Sequence, residues 1–198
     1  MERNKYSQDD KINNIALFGT SADPPTVGHQ TILSWLARHY DLVVVWASDN
    51  PFKTHRAGLS VRSQMLDLII QEIEPPKPNI TLCQTISDRR SLNTVQKARQ
   101  IWPVAKITLV IGADLVQQIV TWYQIEVLLQ QVKILIIPRL GYSIEDKDLR
   151  KIEFLGGEYT IATLNAPRVS SSIYRLRHDK TVLTPAVRGY IKTHRLYN

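Results

Sequence analysis

The chain has 198 residues, 43% of them hydrophobic and 22% charged, with a formal net charge of +7. That length holds one α/β domain with a sizeable core, and the composition excludes a disordered or fibrous chain. The single cysteine, Cys83, excludes an intrachain disulfide and gives no hint of a zinc cluster.

Residues 1–14 are polar and lack an apolar stretch of the kind a secretory signal needs, so they read as an N-terminal extension before one domain, 15–198. No run approaches the roughly 18 apolar residues that cross a bilayer, so a cytoplasmic setting without membrane contact is expected. The first strand is expected at 15–18, followed by the loop Gly19-Thr20-Ser21-Ala22-Asp23-Pro24-Pro25-Thr26-Val27-Gly28-His29 and a helix over 31–40. Further strands are expected at 42–47, 80–84, 107–111, 133–137 and 158–162. Helices are expected at 61–73, 94–102 and 115–129, the last with a break, and two more close the chain. The segment Glu74-Pro75-Pro76-Lys77-Pro78 reads as a connector, and Cys83 as a small hydrophobe in a buried strand. Continuous apolar runs such as Leu42-Val43-Val44-Val45 suit parallel strands covered on both faces. The fold class is therefore α/β, a doubly wound, Rossmann-like parallel sheet with C-terminal helices and ligands at the carboxyl ends of its strands.

Residues of chemical interest fall just there: His29 after the first strand, Asp49-Asn50-Pro51-Phe52-Lys53 after the second, Gly112-Ala113-Asp114 after the fourth and Pro138-Arg139 after the fifth. The first loop joins a strand to a helix N-terminus, where backbone N–H groups and the dipole favour a phosphate. Gly19 is expected to allow a sharp turn and Gly28 a close approach to ligand, with His29 in the first helical turn and the Thr26 hydroxyl nearby. Near the other end, Val169-Ser170-Ser171-Ser172-Ile173-Tyr174-Arg175, preceded by Arg168, starts a helix with Ser170 as its cap. Three serines and an arginine one turn inside make a candidate phosphate cradle. Thr184-Pro185 opens a structural helix, the threonine hydroxyl capping it and Val187, Ile191 and Leu196 packing on the core. The basic residues are scattered, with doublets Arg89-Arg90 and Arg150-Lys151, which suits small phosphorylated substrates better than nucleic acid. His39, His55, His178 and His194 read as surface or packing residues.

Together these loops resemble the (H/T)xGH and ISSTxxR-type signatures of nucleotidyltransferases, and the chain looks most like bacterial nicotinate-nucleotide adenylyltransferases. Asn50-Pro51-Phe52-Lys53, Gly112-Ala113-Asp114-Leu115 with Thr121-Trp122-Tyr123, and Pro138-Arg139-Leu140-Gly141-Tyr142 support the likeness, which runs from about Ile15 to Tyr197. The resemblance implies transfer of AMP from ATP to nicotinate mononucleotide, giving deamido-NAD and pyrophosphate. It implies catalytic roles for His29, Thr26 and Arg175, with Thr26 in place of a second motif histidine. It implies ATP contacts from Gly19, Thr20, Ser21, Gly28, His29, Gly112, Asp114, Ser170, Ser171 and Arg175, and mononucleotide contacts from Asn50, Lys53, Trp122, Tyr123 and Arg139. Mg²⁺ is expected on the ATP phosphates and water, with Asp23 a weak candidate ligand and no protein metal site. ATP and the mononucleotide are the expected partners, and a homo-oligomer is allowed.

Three departures stand out. Ala22 replaces the family's usual phenylalanine, Phe52-Lys53 its His-Lys pair, and Arg90-Ser91-Leu92-Asn93-Thr94 only loosely matches a motif bordering the pyridine pocket. The last leaves nicotinamide mononucleotide open as an acceptor. A sister transferase acting on phosphopantetheine or a sugar phosphate, and a non-catalytic nucleotide- or RNA-binding module, remain as alternatives, since class I aminoacyl-tRNA synthetases share the histidine loop.

Overall fold

Six parallel strands form a single sheet in the order β3-β2-β1-β4-β5-β6 in a computed structural model that describes residues 12–49, 54–139, 141–164, 167 and 169–198. The strands are β1 (Asn14–Thr20), β2 (Leu42–Ala47), β3 (Ile80–Leu82), β4 (Lys106–Gly112), β5 (Lys133–Ile137) and β6 (Glu158–Ile161). The helices are α1 (Val27–Leu36), α2 (Leu59–Gln71), α3 (Ser91–Ile101), α4 (Val116–Ile119), α5 (Ile125–Leu129), α6 (Asp146–Phe154), α7 (Ser171–Arg177) and α8 (Pro185–Thr193). This is the doubly wound order, in which the chain reverses direction across the sheet between β1 and β4 and leaves a crevice beyond their carboxyl ends.

Alternate residues of each strand feed two cores. Ile15 and Leu17 of β1 pack with Val95 of α3, Ile119 of α4, Leu128 of α5 and Ile152 of α6. Ala16 and Phe18 pack on the opposite face with Leu33 of α1, Met65 of α2, Tyr174 of α7 and Val187 of α8. Both faces of the sheet are thus dry, which is why the central strands carry no polar alternation.

The expected strands and helices form, with shifts that have local causes. The polar extension ends sooner than residue 14. Ile12 packs on a core cluster, and the N–H groups of Asn13 and Asn14 each donate to Asp41 Oδ2 at 2.9 Å. Strand β3 stops at Leu82 because the Gln84 side-chain amide takes over the ladder, accepting from Ala47 N at 3.0 Å and donating to Ala47 O at 2.8 Å. Cys83 is accordingly half-buried beside Thr85, not inside a strand. Helix α1 begins one turn earlier than expected, so His29 is its third residue. The anticipated break in 115–129 is real: α4 and α5 are separate, and Gln124 takes a left-handed φ of 47° between them.

Helix α6 was not foreseen. Its charged residues Asp146, Lys147, Asp148, Arg150, Lys151 and Glu153 outnumber the buried Leu149 and Ile152, yet a crossover is obligatory between parallel β5 and β6. Helix α8 starts at Pro185 as expected, but the Thr184 hydroxyl does not cap it and is buried without a hydrogen-bond partner. Glu72 Oε1 fills that role from the C-cap of α2, accepting from Ala186 N at 2.8 Å. No helix among the described residues is long and apolar enough to cross a membrane.

Candidate active site

The carboxyl ends of β1, β4 and β5 open into a cavity of about 330 Å³ lined by Thr20, His29, Asp114, Arg139, Ser170 and Arg175, among others. The two signature loops meet here. Ser171 Oγ donates to Pro24 O at 2.8 Å and Arg175 donates to Asp23 O at 2.5 Å, a contact across 152 positions of sequence. A Cβ on Gly28 would stand 3.0 Å from the Val169 side chain, so the seam between the loops also requires the bare α-carbon, which lies at the cavity wall. Gly19 is not a turn residue. It lies inside β1, and a Cβ there would meet the Trp46 indole at 2.5 Å.

His29 is held from behind. Thr26 N–H donates to its Nδ1 at 3.0 Å, a capping box in which histidine takes the usual place of glutamate. That bond uses the Nδ1 lone pair, so the ring proton sits on Nε2, which lies 3.0 Å from Thr20 Oγ1 at the cavity wall. The arrangement presents a donor to an oxyanion. Thr26 itself is 1% exposed, and its hydroxyl lies 3.0 Å from Nδ1. It orients the imidazole, and it lines the same cavity as His29 and Arg175.

The serines divide their work. Ser170 Oγ caps α7 by accepting from Ile173 N at 3.1 Å, which leaves its own proton to donate. Ser171 spends its one hydroxyl proton on Pro24 O, so what it offers a phosphate is its backbone N–H, as the first residue of α7 at the cavity wall. Ser172 Oγ accepts from Arg175 at 3.3 Å and helps aim the guanidinium. Asp114 folds back against Gly112, where a Cβ would meet its carboxylate at 2.4 Å, and pairs with Arg139 at 3.2 Å. Arg139, expected beside the mononucleotide, thus belongs to the same cavity as His29, with Tyr142 beside it.

A second cavity of about 230 Å³ shares Gly19, Ser48 and Leu115 with the first and is lined by Trp46, Trp122 and Tyr123. The expected aromatic pair is therefore brought to the site. Asn50, Lys53 and Arg168 lie outside the described residues.

Sequence reasoning missed the site's scaffold. Arg62, 1% exposed, occupies a core position of α2 together with Met65, Leu66 and Ile69. It donates to Ala57 O, Ser21 O and Ser48 O at 3.0, 2.7 and 2.8 Å and so ties the ends of β1 and β2 together. Burial lowers its pKa, opposed by Asp23 and Asp49. An arginine in phase with a buried helical stripe was the signal. Asp23 is the second hub: its carboxylate accepts from Arg56 N at 2.8 Å, Ala57 N at 3.1 Å and Tyr197 Oη at 2.7 Å. With both oxygens engaged it anchors this loop. Ala22, at a left-handed φ of 47° and 1% exposed, packs beneath this loop, where the family's phenylalanine was noted as absent.

Burial, and then the bond to Asp23, raises the Tyr197 pKa well above its ordinary value. In the unfolded chain the phenol ionises near pH 10, whereas the folded chain keeps the proton beyond that. The resulting stabilisation is complete below about pH 10 and lost as pH climbs toward the folded value, because the unfolded state then binds fewer protons. Tyr197→Phe is expected to flatten this alkaline loss in denaturant unfolding between about pH 9 and 11. Equal slopes in both proteins would refute it.

The comparisons with known proteins agree with this geometry. The model of the family described as cytidylyltransferase-like matches residues 17–177. A Synechocystis protein named "Probable nicotinate-nucleotide adenylyltransferase" is 43% identical over 196 residues, covering 92% of this chain and 98% of its own. The chain belongs to this nucleotidyltransferase family, among its nicotinate-nucleotide adenylyltransferases. A Bacillus cereus relative of the same name is 28% identical over 202 residues, covering 94% of this chain and 99% of its own. The solved structure of Plasmodium falciparum nicotinic acid mononucleotide adenylyltransferase complexed with NaAD shares the adenylyltransferase fold, with a TM-score of 0.80 at 20% identity over 93% of this chain and 97% of that one.

Proposed function

We propose that this chain transfers AMP from ATP to nicotinate mononucleotide. A phosphate oxygen of the mononucleotide attacks the α-phosphorus of ATP, the new P–O–P bond forms, the bond from the α-phosphorus to the β-phosphate oxygen breaks, and pyrophosphate leaves. The observation that supports this reading is the convergence of His29 and Arg175, from opposite ends of the sequence, on one cavity adjoining an aromatic one. Such a transfer needs positioning and neutralisation of charge rather than a nucleophilic side chain. His29 Nε2–H donates to the α-phosphate as charge gathers there. Arg175, the Ser170 hydroxyl and the backbone at the start of α7 receive the β- and γ-phosphates, which become the leaving group. Asp114 accepts from ribose hydroxyls, and Trp122 and Tyr123 flank the pyridine ring.

Mg²⁺ fits as a passenger on the triphosphate. Asp23 already answers three donors, Asp114 faces Arg139, and the described residues hold no group of three His, Cys, Asp or Glu able to cage an ion. The ion would add its charge to that of Arg175 against the phosphates. The cytoplasmic setting expected from the sequence belongs to the same reading. Purified protein supplied with ATP, Mg²⁺ and nicotinate mononucleotide is expected to release pyrophosphate and the dinucleotide in equal amounts. Nucleotide binding with no pyrophosphate from any pyridine mononucleotide would instead favour the non-catalytic module.

A further inference from the structure

Two arginines and two aspartates line the second cavity, and all but one of these charges are answered within the fold. Asp49 faces Arg62 at 3.6 Å, Arg89 at 3.5 Å and His55 at 3.8 Å. Asp88 accepts from Arg90 N at 3.0 Å, Asn93 Nδ2 at 3.1 Å and Lys97 Nζ at 3.2 Å. Those bonds, the backbone one foremost, hold its carboxyl below the usual carboxylate range. The Arg90 guanidinium has no carboxylate partner among the described residues. It lies instead over the Tyr123 ring, 4.0 Å from the centroid.

Stacking occupies one face of a guanidinium and leaves its in-plane N–H edge exposed, a flat fork that matches a carboxylate. The rest of the lining is uncharged, with Trp46 and Trp122 beside Leu109 and Ile111 and the polar side chains of Ser91, Thr94 and Gln118. An uncharged, aromatic-lined slot carrying one unanswered guanidinium fork matches a planar aromatic acid. A carboxamide of the same outline would turn N–H donors toward N–H donors or leave the fork half-bonded, and either costs binding. We propose that Arg90, seated on Tyr123, reads the carboxylate of the acceptor's pyridine ring and selects the acid over the amide. This rests on the transferase reading above and deepens it, making Arg90 a specificity-determining residue.

The test compares kcat/KM for nicotinate and nicotinamide mononucleotides in wild type, R90Q and R90K, with thermal unfolding to verify the fold. R90Q is expected to lower the nicotinate-to-nicotinamide ratio about 10- to 100-fold, carried mainly by KM for the acid, as for loss of a charged hydrogen bond. R90K, which keeps the charge but loses the fork, is expected to restore only part of the ratio. A ratio within about threefold of wild type in R90Q, or an equal fall for both acceptors, would overturn the proposal. Wild type that turns over neither acceptor would sink the transferase reading itself, an outcome distinct from an unchanged ratio.

Discussion

Replacing His29 with alanine is expected to slow pyrophosphate release about 10²- to 10³-fold at saturating substrates, with little change in unfolding temperature. The magnitude follows from what the ring does. Its Nδ1 is fixed by Thr26 N–H at 3.0 Å, so the Nε2 proton points where the structure holds it, without reorganisation as the α-phosphate gains charge. A donor placed in advance contributes most when the charge it meets exists chiefly in the transition state. Thr26→Val provides the contrast. It keeps the backbone N–H that sets the tautomer and loses only the hydroxyl, so a fall of no more than about tenfold is expected. Single-turnover rates for the two variants separate these effects from substrate affinity. An H29A rate equal to wild type would remove the imidazole from the reaction.

The sequence disclosed the chemistry more fully than the scaffold that aims it. Apolar runs such as Leu42-Val43-Val44-Val45 are legible because both faces of a parallel strand are buried, and His29, Asp114 and Arg139, which follow β1, β4 and β5, line the crevice as the topology requires. His29 and Arg175 stood out by residue type and local context, whereas Trp122 and Tyr123 were singled out by the resemblance, and the structure puts the first pair on one cavity and the second pair on the cavity beside it. Gly19 was noticed for the wrong reason, and the side chains that crowd Gly19 and Gly28, Trp46 and Val169, gave no sign because they are distant in sequence. Tyr197 gave no sign of reaching Asp23, 174 positions away, because nothing local marks a hydroxyl for a buried carboxylate. Helix α6 escaped because its charged residues diluted the stripe formed by Leu149 and Ile152, although the topology demanded a crossover there. Periodicity reports burial by a neighbouring layer. It is silent on a single polar bond closing over the length of the chain.

That silence makes Asp23 the place where the fold and the chemistry are joined most tightly. Asp23→Ala is expected to cost about 3–5 kcal/mol, the range for removing one partner of a buried charged network. For a chain of this size that corresponds to a fall of roughly 6–20 °C in Tm. The carboxylate is 2% exposed and its loss strands three donors at once, the N–H groups of Arg56 and Ala57 and the Tyr197 hydroxyl. It also removes a negative charge 3.8 Å from Arg175 and one that offsets the burial of Arg62. Asparagine is no remedy, because its NH₂ would face one of the backbone N–H donors. Tyr197→Phe removes only one of the three donors and is expected to cost about 1–2 kcal/mol. The same carboxylate holds the loop whose backbone carbonyl anchors Arg175, so D23A protein that remains folded below its lowered Tm should also lose turnover, through both KM for ATP and kcat. A Tm within about 1 °C of wild type would mean that the loop is held by other contacts and that Arg175 does not depend on this anchor for its aim.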